Sequence, residues 1–205
     1  PDNAIDEITK MVDKILIGTK TGGVLVFVTS VSETFKVCDY IRRKIEDKPN
    51  YYPVKPYCIA LSGETDEGTK DYKIIEGKDP PPQGYGRRII ISTNVAESSI
   101  TFKNLVYVID SGLRFEKYYD PKKYAYIGGK VNIARANIAQ RCGRTGRTNP
   151  GVCLKMYTQS QFEKFPNYPD PEIEKADITE TLLRILNLPF IGGNLNTAYH
   201  LLNEL

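Results

Sequence analysis

Three strand-length runs with apolar centres constrain the fold of this chain most strongly. They are residues 24–28, 88–92 and 105–109. Strands that are buried on both faces give such runs, which are typical of a parallel sheet covered by helices. Amphipathic helical patterns flank the first run: one spans Asn3 to Ile17, and the capping-box residues Ser30 and Glu33 open another. The alternation predicts an α/β fold with a mainly parallel sheet.

The remaining patterns extend this arrangement. Further predicted elements are a strand over 57–61, a helix over 69–76, a helix from Asn132 to Gln140 and a strand over 151–157. The segment from Arg114 to Val131 has no helical period and carries several tyrosines, which predicts a β-hairpin. Its tyrosines leave two possibilities open: cross-strand pairing, or stacking on a nucleic-acid base.

The sequence pattern changes after Phe165. Three prolines predict a linker, and an amphipathic helix containing Leu182 and Leu186 follows Asp177. We therefore predict a first domain over residues 1–165. Residues 166–205 are predicted to be a linker and a C-terminal helical extension that begins a following domain.

Charge and cysteine content limit the classes of protein that fit. Lys and Arg number 28 against 25 Asp and Glu, so the net charge of +3 is too small to indicate an anionic partner by itself. The four cysteines lack zinc-site spacing and the density of a disulfide framework. They predict reduced thiols in an intracellular protein of the nucleus or cytoplasm. No apolar run is long enough for a membrane span, so no membrane partner is expected.

A motif rich in arginine and glycine is the part of the sequence that most clearly indicates a chemical function. It reads Gln140-Arg141-Cys142-Gly143-Arg144-Thr145-Gly146-Arg147. Guanidinium groups are planar forks that match phosphate oxygens, and glycines let a bulky anion approach the backbone. An arginine aimed at a γ-phosphate stabilises charge in phosphoryl transfer. Taken alone, the motif also fits a solvated basic loop.

A second motif points to the same place in the fold. Ser92 to Thr101 begins where a predicted strand ends, and its short polar side chains follow the carboxyl end of that strand. Open α/β sheets bind ligands at the carboxyl ends of their strands. The two motifs therefore predict one site at that edge.

In order along the chain, these motifs resemble those of the second RecA-like domain of DEAH-box superfamily 2 RNA helicases. Residues 25–30 resemble motif IV, residues 92–101 motif V and residues 140–147 motif VI. The resemblance covers roughly residues 5–185. It implies an ATP-dependent RNA helicase, in which hydrolysis drives single-strand translocation and duplex unwinding.

The resemblance also implies roles for individual residues. Gln140 approaches the γ-phosphate and Arg144 and Arg147 are the arginine fingers, while Thr101 and Gly143 belong to the nucleotide site. The role of Arg141 is left open. The residues expected to contact the RNA backbone, or to link it to the nucleotide, are Thr29, Ser30, Thr93, Asn94 and Ser99.

Two positions depart from the family pattern. Ile75 stands where many members have an aromatic residue that stacks on adenine, and Lys103 where an aspartate often contacts the ribose. Both departures weaken the expected contacts to the base and sugar.

The chain contains neither a G-x-x-x-x-G-K-[ST] loop nor an Asp-Glu-x-His box. The implied cofactors are ATP and Mg²⁺, with the metal held mainly by a preceding RecA-like domain of the same polypeptide. No metal ligand is therefore expected in this chain, and no hydrolysis by the chain alone. The start at Pro1 suggests an excised piece. Two alternatives remain: a non-catalytic nucleic-acid-binding module derived from a helicase, and a viral-type helicase acting on DNA and RNA.

Overall fold

The computed structural model describes residues 3–98, 100–146 and 150–203. Its strands are β1 Gly23–Phe27, β2 Pro56–Leu61, β3 Arg87–Ser92, β4 Leu105–Asp110, β5 Leu113–Asp120, β6 Ala125–Asn132 and β7 Val152–Lys155. Five of them form one sheet in the order β2-β3-β1-β4-β7, and every neighbouring pair is parallel. The predicted α/β architecture is confirmed, and β5 and β6 form the predicted hairpin.

The helices of the described residues flank these strands in sequence. They are α1 Asn3–Gly18, α2 Val31–Asp47, α3 Lys70–Glu76, α4 Arg135–Cys142, α5 Gln159–Glu163, α6 Thr179–Leu186 and α7 Leu195–Asn203, with short 3₁₀ helices at Asn94–Glu97 and Glu172–Glu174. None of these helices has the length and apolar character needed to cross a membrane.

Local capping explains where several helices begin. Ser30 caps α2 as predicted, because its hydroxyl accepts a hydrogen bond from the backbone N–H of Glu33. The predicted cap at Asn132 is wrong, since β6 continues through that residue. Helix α4 instead begins after Ala134, whose backbone N–H donates to the side-chain oxygen of Asn137 at 3.2 Å.

The sheet has an apolar core on each face, which explains why the sequence of its central strand β1 is apolar without interruption. Val24 and Val26 of β1 pack with residues of α1 and α2 on one face. Leu25 and Phe27 pack on the other face with residues of α3. Every residue of β1 is buried, so no alternation of polar and apolar residues is possible there.

The expectation of four reduced thiols is wrong. The structure joins Cys38 of α2 to Cys58 of β2, and Cys142 of α4 to Cys153 of β7. The paired Cα atoms are 5.5 and 5.3 Å apart, within the range that a disulfide requires. Sequence spacing did not indicate these pairs, because each partner lies on a different element and only the packing of helix on sheet brings them together.

The chain divides into two compact units. The first runs through Phe115 and resumes over Lys130–Pro169, and the second comprises Glu116–Gly129 and the described part of Asp170–Leu205. Within the second unit, the Tyr119 and Tyr126 rings are 5.5 Å apart in an edge arrangement, as the cross-strand alternative predicts. Tyr124 at the hairpin turn is exposed. The boundary predicted near residue 166 stays a prediction.

A carboxylate with two close tyrosine partners joins α1 to α2 and the segment after it. Asp13 accepts hydrogen bonds of 2.6 Å from the hydroxyls of Tyr40 and Tyr52. We expect Asp13→Ala to lower the free energy of unfolding by about 1–3 kcal/mol, because the buried Tyr52 hydroxyl and the half-buried Tyr40 hydroxyl lose a charged acceptor. Urea denaturation measures this change. The exposed Asp39→Ala is the matched control and should stay within about 0.5 kcal/mol of the parent; equal effects of the two changes would contradict the prediction.

Candidate functional site

The motif IV and motif V segments meet at the carboxyl edge of the sheet. Strands β1 and β3 are neighbours, and the backbone N–H of Val28 donates to the carbonyl of Ser92 at 2.8 Å. Thr29 and Thr93 therefore follow adjacent strands at the same edge.

Glu33 fixes the turn that follows β1. Its carboxylate accepts from the backbone N–H of Thr29 at 2.8 Å, from the Thr29 hydroxyl at 2.6 Å and from the Lys130 ammonium at 2.5 Å. Burial opposes the charged form, but these hydrogen bonds hold the pKa of Glu33 below its ordinary value. The Thr29 hydroxyl is thus committed to Glu33. Ser30 accepts the α2 cap bond, and its hydroxyl can still donate its own proton.

The free energy of unfolding should vary with pH because the Glu33 carboxylate stabilises the fold only when it is ionised. Because the folded pKa of Glu33 is depressed, its contribution is present above the unfolded pKa and is lost as pH falls through the folded pKa. We expect Glu33→Gln to cost about 1–3 kcal/mol at pH 7, with the difference from the parent shrinking in acid. Urea denaturation across pH measures it. Glu46→Gln, an exposed change on the same helix, is the control; a difference that persists unchanged in acid would contradict the role given to the Glu33 charge.

The motif V segment places polar groups at the surface and a carboxylate inside. Asn94 begins the 3₁₀ helix and is exposed, as is Thr101, while Thr93 is half-buried. Glu97 ends that helix with its side chain buried. The predicted contact residue Ser99 lies outside the described residues.

Arg141 is the centre of a buried ionic cluster. Its side chain is 0% exposed and donates at 2.8 Å to carboxylate oxygens of both Glu97 and Asp110. The side-chain amide of Asn137 donates to the other carboxylate oxygen of Glu97 at 2.8 Å, and the Tyr157 hydroxyl donates to Asp110 at 3.0 Å. Burial, together with the nearby Asp110 charge, raises the pKa of Tyr157. Arg141 therefore joins motif VI to motif V and to the end of β4.

Arg144 lies directly against motif V. Its guanidinium donates to the backbone carbonyl of Ile100 at 2.9 Å and to that of Glu97, and the residue is 9% exposed. Gln140 is exposed on α4, and Gly143 is exposed immediately after that helix. The second predicted finger, Arg147, lies outside the described residues.

The two departures from the family pattern occupy different surroundings. Ile75 is 0% exposed within the core of one sheet face, so that position presents no side chain to a nucleotide base. Lys103 is exposed just before β4, at the amino edge of the sheet, where it lines a cavity of about 440 Å³ with Arg87 and Arg88. The sheet thus places Lys103 at the edge opposite to Thr93.

This edge can supply groups for phosphates more readily than for a metal. Arg144 and Gln140 carry hydrogen-bond donors, and Ser30 and Asn94 carry small polar groups in the segments that follow β1 and β3. The two buried carboxylates, Glu97 and Asp110, are already paired with Arg141. Among the described residues there is no cluster of three or more His, Cys, Asp or Glu side chains that could hold a metal ion. The donor set fits the phosphate part of a nucleotide.

Sequence reasoning missed the partners of Arg141. Neither Glu97 nor Asp110 is among the residues that the sequence predicts at the site. One signal was present: a strand otherwise continuous in apolar residues ends in Asp110, and a buried carboxylate requires a cation or several donors.

Comparison with known proteins identifies the family. Residues 7–149 match the family described as "Helicase conserved C-terminal domain". The crystal structure of the Escherichia coli DExH-box NTPase HrpB superimposes with a TM-score of 0.68 at 25% identity, covering 90% of this chain and 21% of that one. The structural similarity supports a RecA-like helicase fold.

Curated relatives agree with this assignment. A putative ATP-dependent RNA helicase, L540 of Acanthamoeba polyphaga mimivirus, is 38% identical over 164 residues, and the ATP-dependent RNA helicase DHX33 of Mus musculus is 32% identical over 166. Each alignment covers 80% of this chain and 22% of the relative, so the chain spans about a fifth of their length. The chain therefore belongs to the helicase conserved C-terminal domain family, as a member of the DExH/DEAH-box RNA helicase group.

Proposed function

We propose that the chain is the second motor domain of an ATP-dependent RNA helicase. In this role it supplies Gln140, Arg144 and Arg147 to an ATP whose Mg²⁺ is held mainly by the first RecA-like domain of the same polypeptide. It also contacts a single RNA strand. The names of the relatives support ATP and RNA as ligands of the whole protein.

The observation that carries this proposal is the coupling of motif V to motif VI. Arg141 bonds to Glu97, and Arg144 donates to carbonyls on both sides of Ser99 in the sequence. The residues expected at the RNA and those expected at the nucleotide therefore belong to one hydrogen-bonded unit. A movement of either group is transmitted to the other without a flexible linker.

The RNA contacts would be made by Ser30, Thr93 and Asn94, with Thr29 contributing only as an acceptor, because its hydroxyl proton and its backbone N–H are both donated to Glu33. Hydroxyl, amide and backbone groups of this kind bind phosphate and sugar, which positions a strand without reading its sequence. Ser99 and Thr101 would connect this path to the nucleotide.

Arg144 would act at the phosphates only when the two motor domains close. Bound ATP supplies the phosphoryl group that is transferred, and positive charge at its γ-phosphate stabilises the transition state. The Arg144 side chain would exchange its backbone carbonyl partners for phosphate oxygens, and Gln140 would donate a hydrogen bond there. Opening of the domains would return Arg144 to motif V.

The test of this function uses the full-length protein. ATP hydrolysis is measured with and without single-stranded RNA, and unwinding is followed on matched RNA and DNA duplexes with a single-stranded overhang. We expect hydrolysis that RNA stimulates and unwinding of RNA that requires ATP. RNA binding without hydrolysis would instead favour the non-catalytic binding module, and equal unwinding of both duplexes would favour a helicase acting on both polymers.

A further inference from the structure

Lys130 is a basic residue close to the residues predicted at the RNA backbone. It belongs to β6, and its ammonium donates to the Glu33 carboxylate at 2.5 Å. The side chain of Lys130 is 41% exposed, whereas that of Glu33 is 10% exposed. An ammonium has three N–H donors, and Glu33 is the hydrogen-bond partner that the described residues provide for this one. Two donors of Lys130 therefore remain for a ligand at the surface.

The Glu33 carboxylate connects Lys130 to the turn that follows β1. Its Oε2 atom accepts from the backbone N–H of Thr29 at 2.8 Å and from the Thr29 hydroxyl at 2.6 Å, while Oε1 accepts from Lys130. Val28, the residue before Thr29, donates its backbone N–H to the carbonyl of Ser92. The ammonium therefore lies at the carboxyl edge of the sheet, where β1 and β3 end side by side.

The turn after β1 needs an added cation if it is to bind a phosphate. Both donors of Thr29, its backbone N–H and its hydroxyl proton, are given to Glu33. Burial opposes ionisation of Glu33, but hydrogen bonds from Lys130 and Thr29 hold its pKa below the ordinary value, so the carboxylate is charged at neutral pH. A lone carboxylate in this place would repel a phosphate. Lys130 neutralises that charge and adds the donors that Thr29 lacks.

We propose that Lys130 is a further RNA-binding residue, which donates to a phosphate of the bound strand while it stays paired with Glu33. The inference rests on the proposed function, because that function places an RNA strand along the edge where β1 and β3 end. A lysine binds phosphate as a point charge, so this contact positions the strand without reading its sequence. The ion pair does not have to break, and the turn at Thr29 keeps its hydrogen bonds when RNA binds.

The experiment measures how binding of a fluorescent single-stranded RNA to the full-length protein depends on salt, by anisotropy without ATP. The logarithm of the association constant falls linearly with the logarithm of the salt concentration, with a slope of about 0.7 for each phosphate contact of a single strand. We expect Lys130→Ala to reduce the slope by about 0.7 and to weaken binding roughly tenfold at low salt. The weakening should become smaller as salt rises, because screening acts on the same contact in the parent.

Three further variants separate phosphate binding from support of the fold. Lys130→Arg keeps the charge and the donors, so it should keep the slope of the parent. Glu33→Gln removes the ion pair but leaves the ammonium, so the slope should again be retained. Lys48→Ala removes an exposed lysine at the other end of α2 from Ser30, and is the matched control whose affinity and slope should equal those of the parent.

A slope that falls in Lys130→Ala and is kept in the other variants supports the proposal. A parent-like slope in Lys130→Ala, even with weaker binding, would overturn it and leave Lys130 as a support for Glu33. An equal fall in Glu33→Gln would also overturn it, since loss of the ion pair rather than of the ammonium would then be the cause. Failure of the parent itself to bind RNA would contradict the proposed function, and this inference with it.

Discussion

Replacing Arg144 with alanine in the full-length protein is expected to lower RNA-stimulated ATP hydrolysis by about 10³- to 10⁵-fold, the contribution of an arginine finger. In the proposed function this guanidinium moves from the carbonyls of motif V to a phosphate, and it is planar, permanently charged and able to make two hydrogen bonds. Arg144→Lys keeps the charge and loses the fork, so it should recover only part of the rate. Steady-state hydrolysis at saturating ATP and RNA measures both.

The controls distinguish this role from a structural one. Arg43→Ala removes an exposed arginine of α2, away from the carboxyl edge, and should leave the rate near that of the parent. RNA affinity should largely survive in Arg144→Ala, because the expected backbone contacts lie on other residues. Parent-like turnover in Arg144→Ala would exclude it as a finger, and loss of RNA binding together with turnover would assign it to the support of motif V.

Replacing Arg141 with methionine is expected to lower the free energy of unfolding by about 3–5 kcal/mol. The change leaves the carboxylates of Glu97 and Asp110 buried without their shared cation, and the desolvation of both is then uncompensated. Chemical denaturation of the full-length protein and of the described domain, if it folds alone, measures the loss.

A compensated variant tests the cause. Combining Arg141→Met with Glu97→Gln and Asp110→Asn removes the buried charges together, and should recover much of the stability lost in the single variant. If the triple variant is as unstable as the single one, loss of the contact between the guanidinium and the Phe27 ring, whose centre is 4.6 Å from the guanidinium carbon, would account for the loss instead.

Much of the fold was accessible from hydrophobic pattern and capping chemistry. The runs at β1, β3 and β4 identified buried parallel strands, because the centre of a strand that is covered on both faces shows no alternation of polar and apolar residues. Ser30 was correctly identified as a cap, because its hydroxyl sits where α2 has an unpaired N–H. Asn132 was wrongly predicted as a cap, because an asparagine fits the end of a strand as well as the start of a helix.

The interactions that build the site were less accessible. Arg141 is 44 residues from Glu97 and 31 from Asp110 along the chain. Periodicity reports which face of an element is buried but not which side chains meet there. The disulfides were missed for the same reason, as was the inward direction of Arg144. The two motifs predicted that residues of motifs V and VI lie together, and Arg141 and Arg144 do bond to motif V. The pairing of the buried charges was not visible in the sequence.

The ionic cluster behind motif VI has a consequence for the motor cycle that follows from its formal charge. Glu97 and Asp110 carry two negative charges against the single positive charge of Arg141, which leaves one negative charge inside the domain. Arg144, bound to the backbone on either side of the Ser99 position, brings a positive charge to this region. In the proposed cycle, departure of Arg144 for a phosphate would leave that buried negative charge without this nearby positive charge. Return of the arginine after phosphate release would then be favoured by the electrostatics of the domain itself, before the next nucleotide binds.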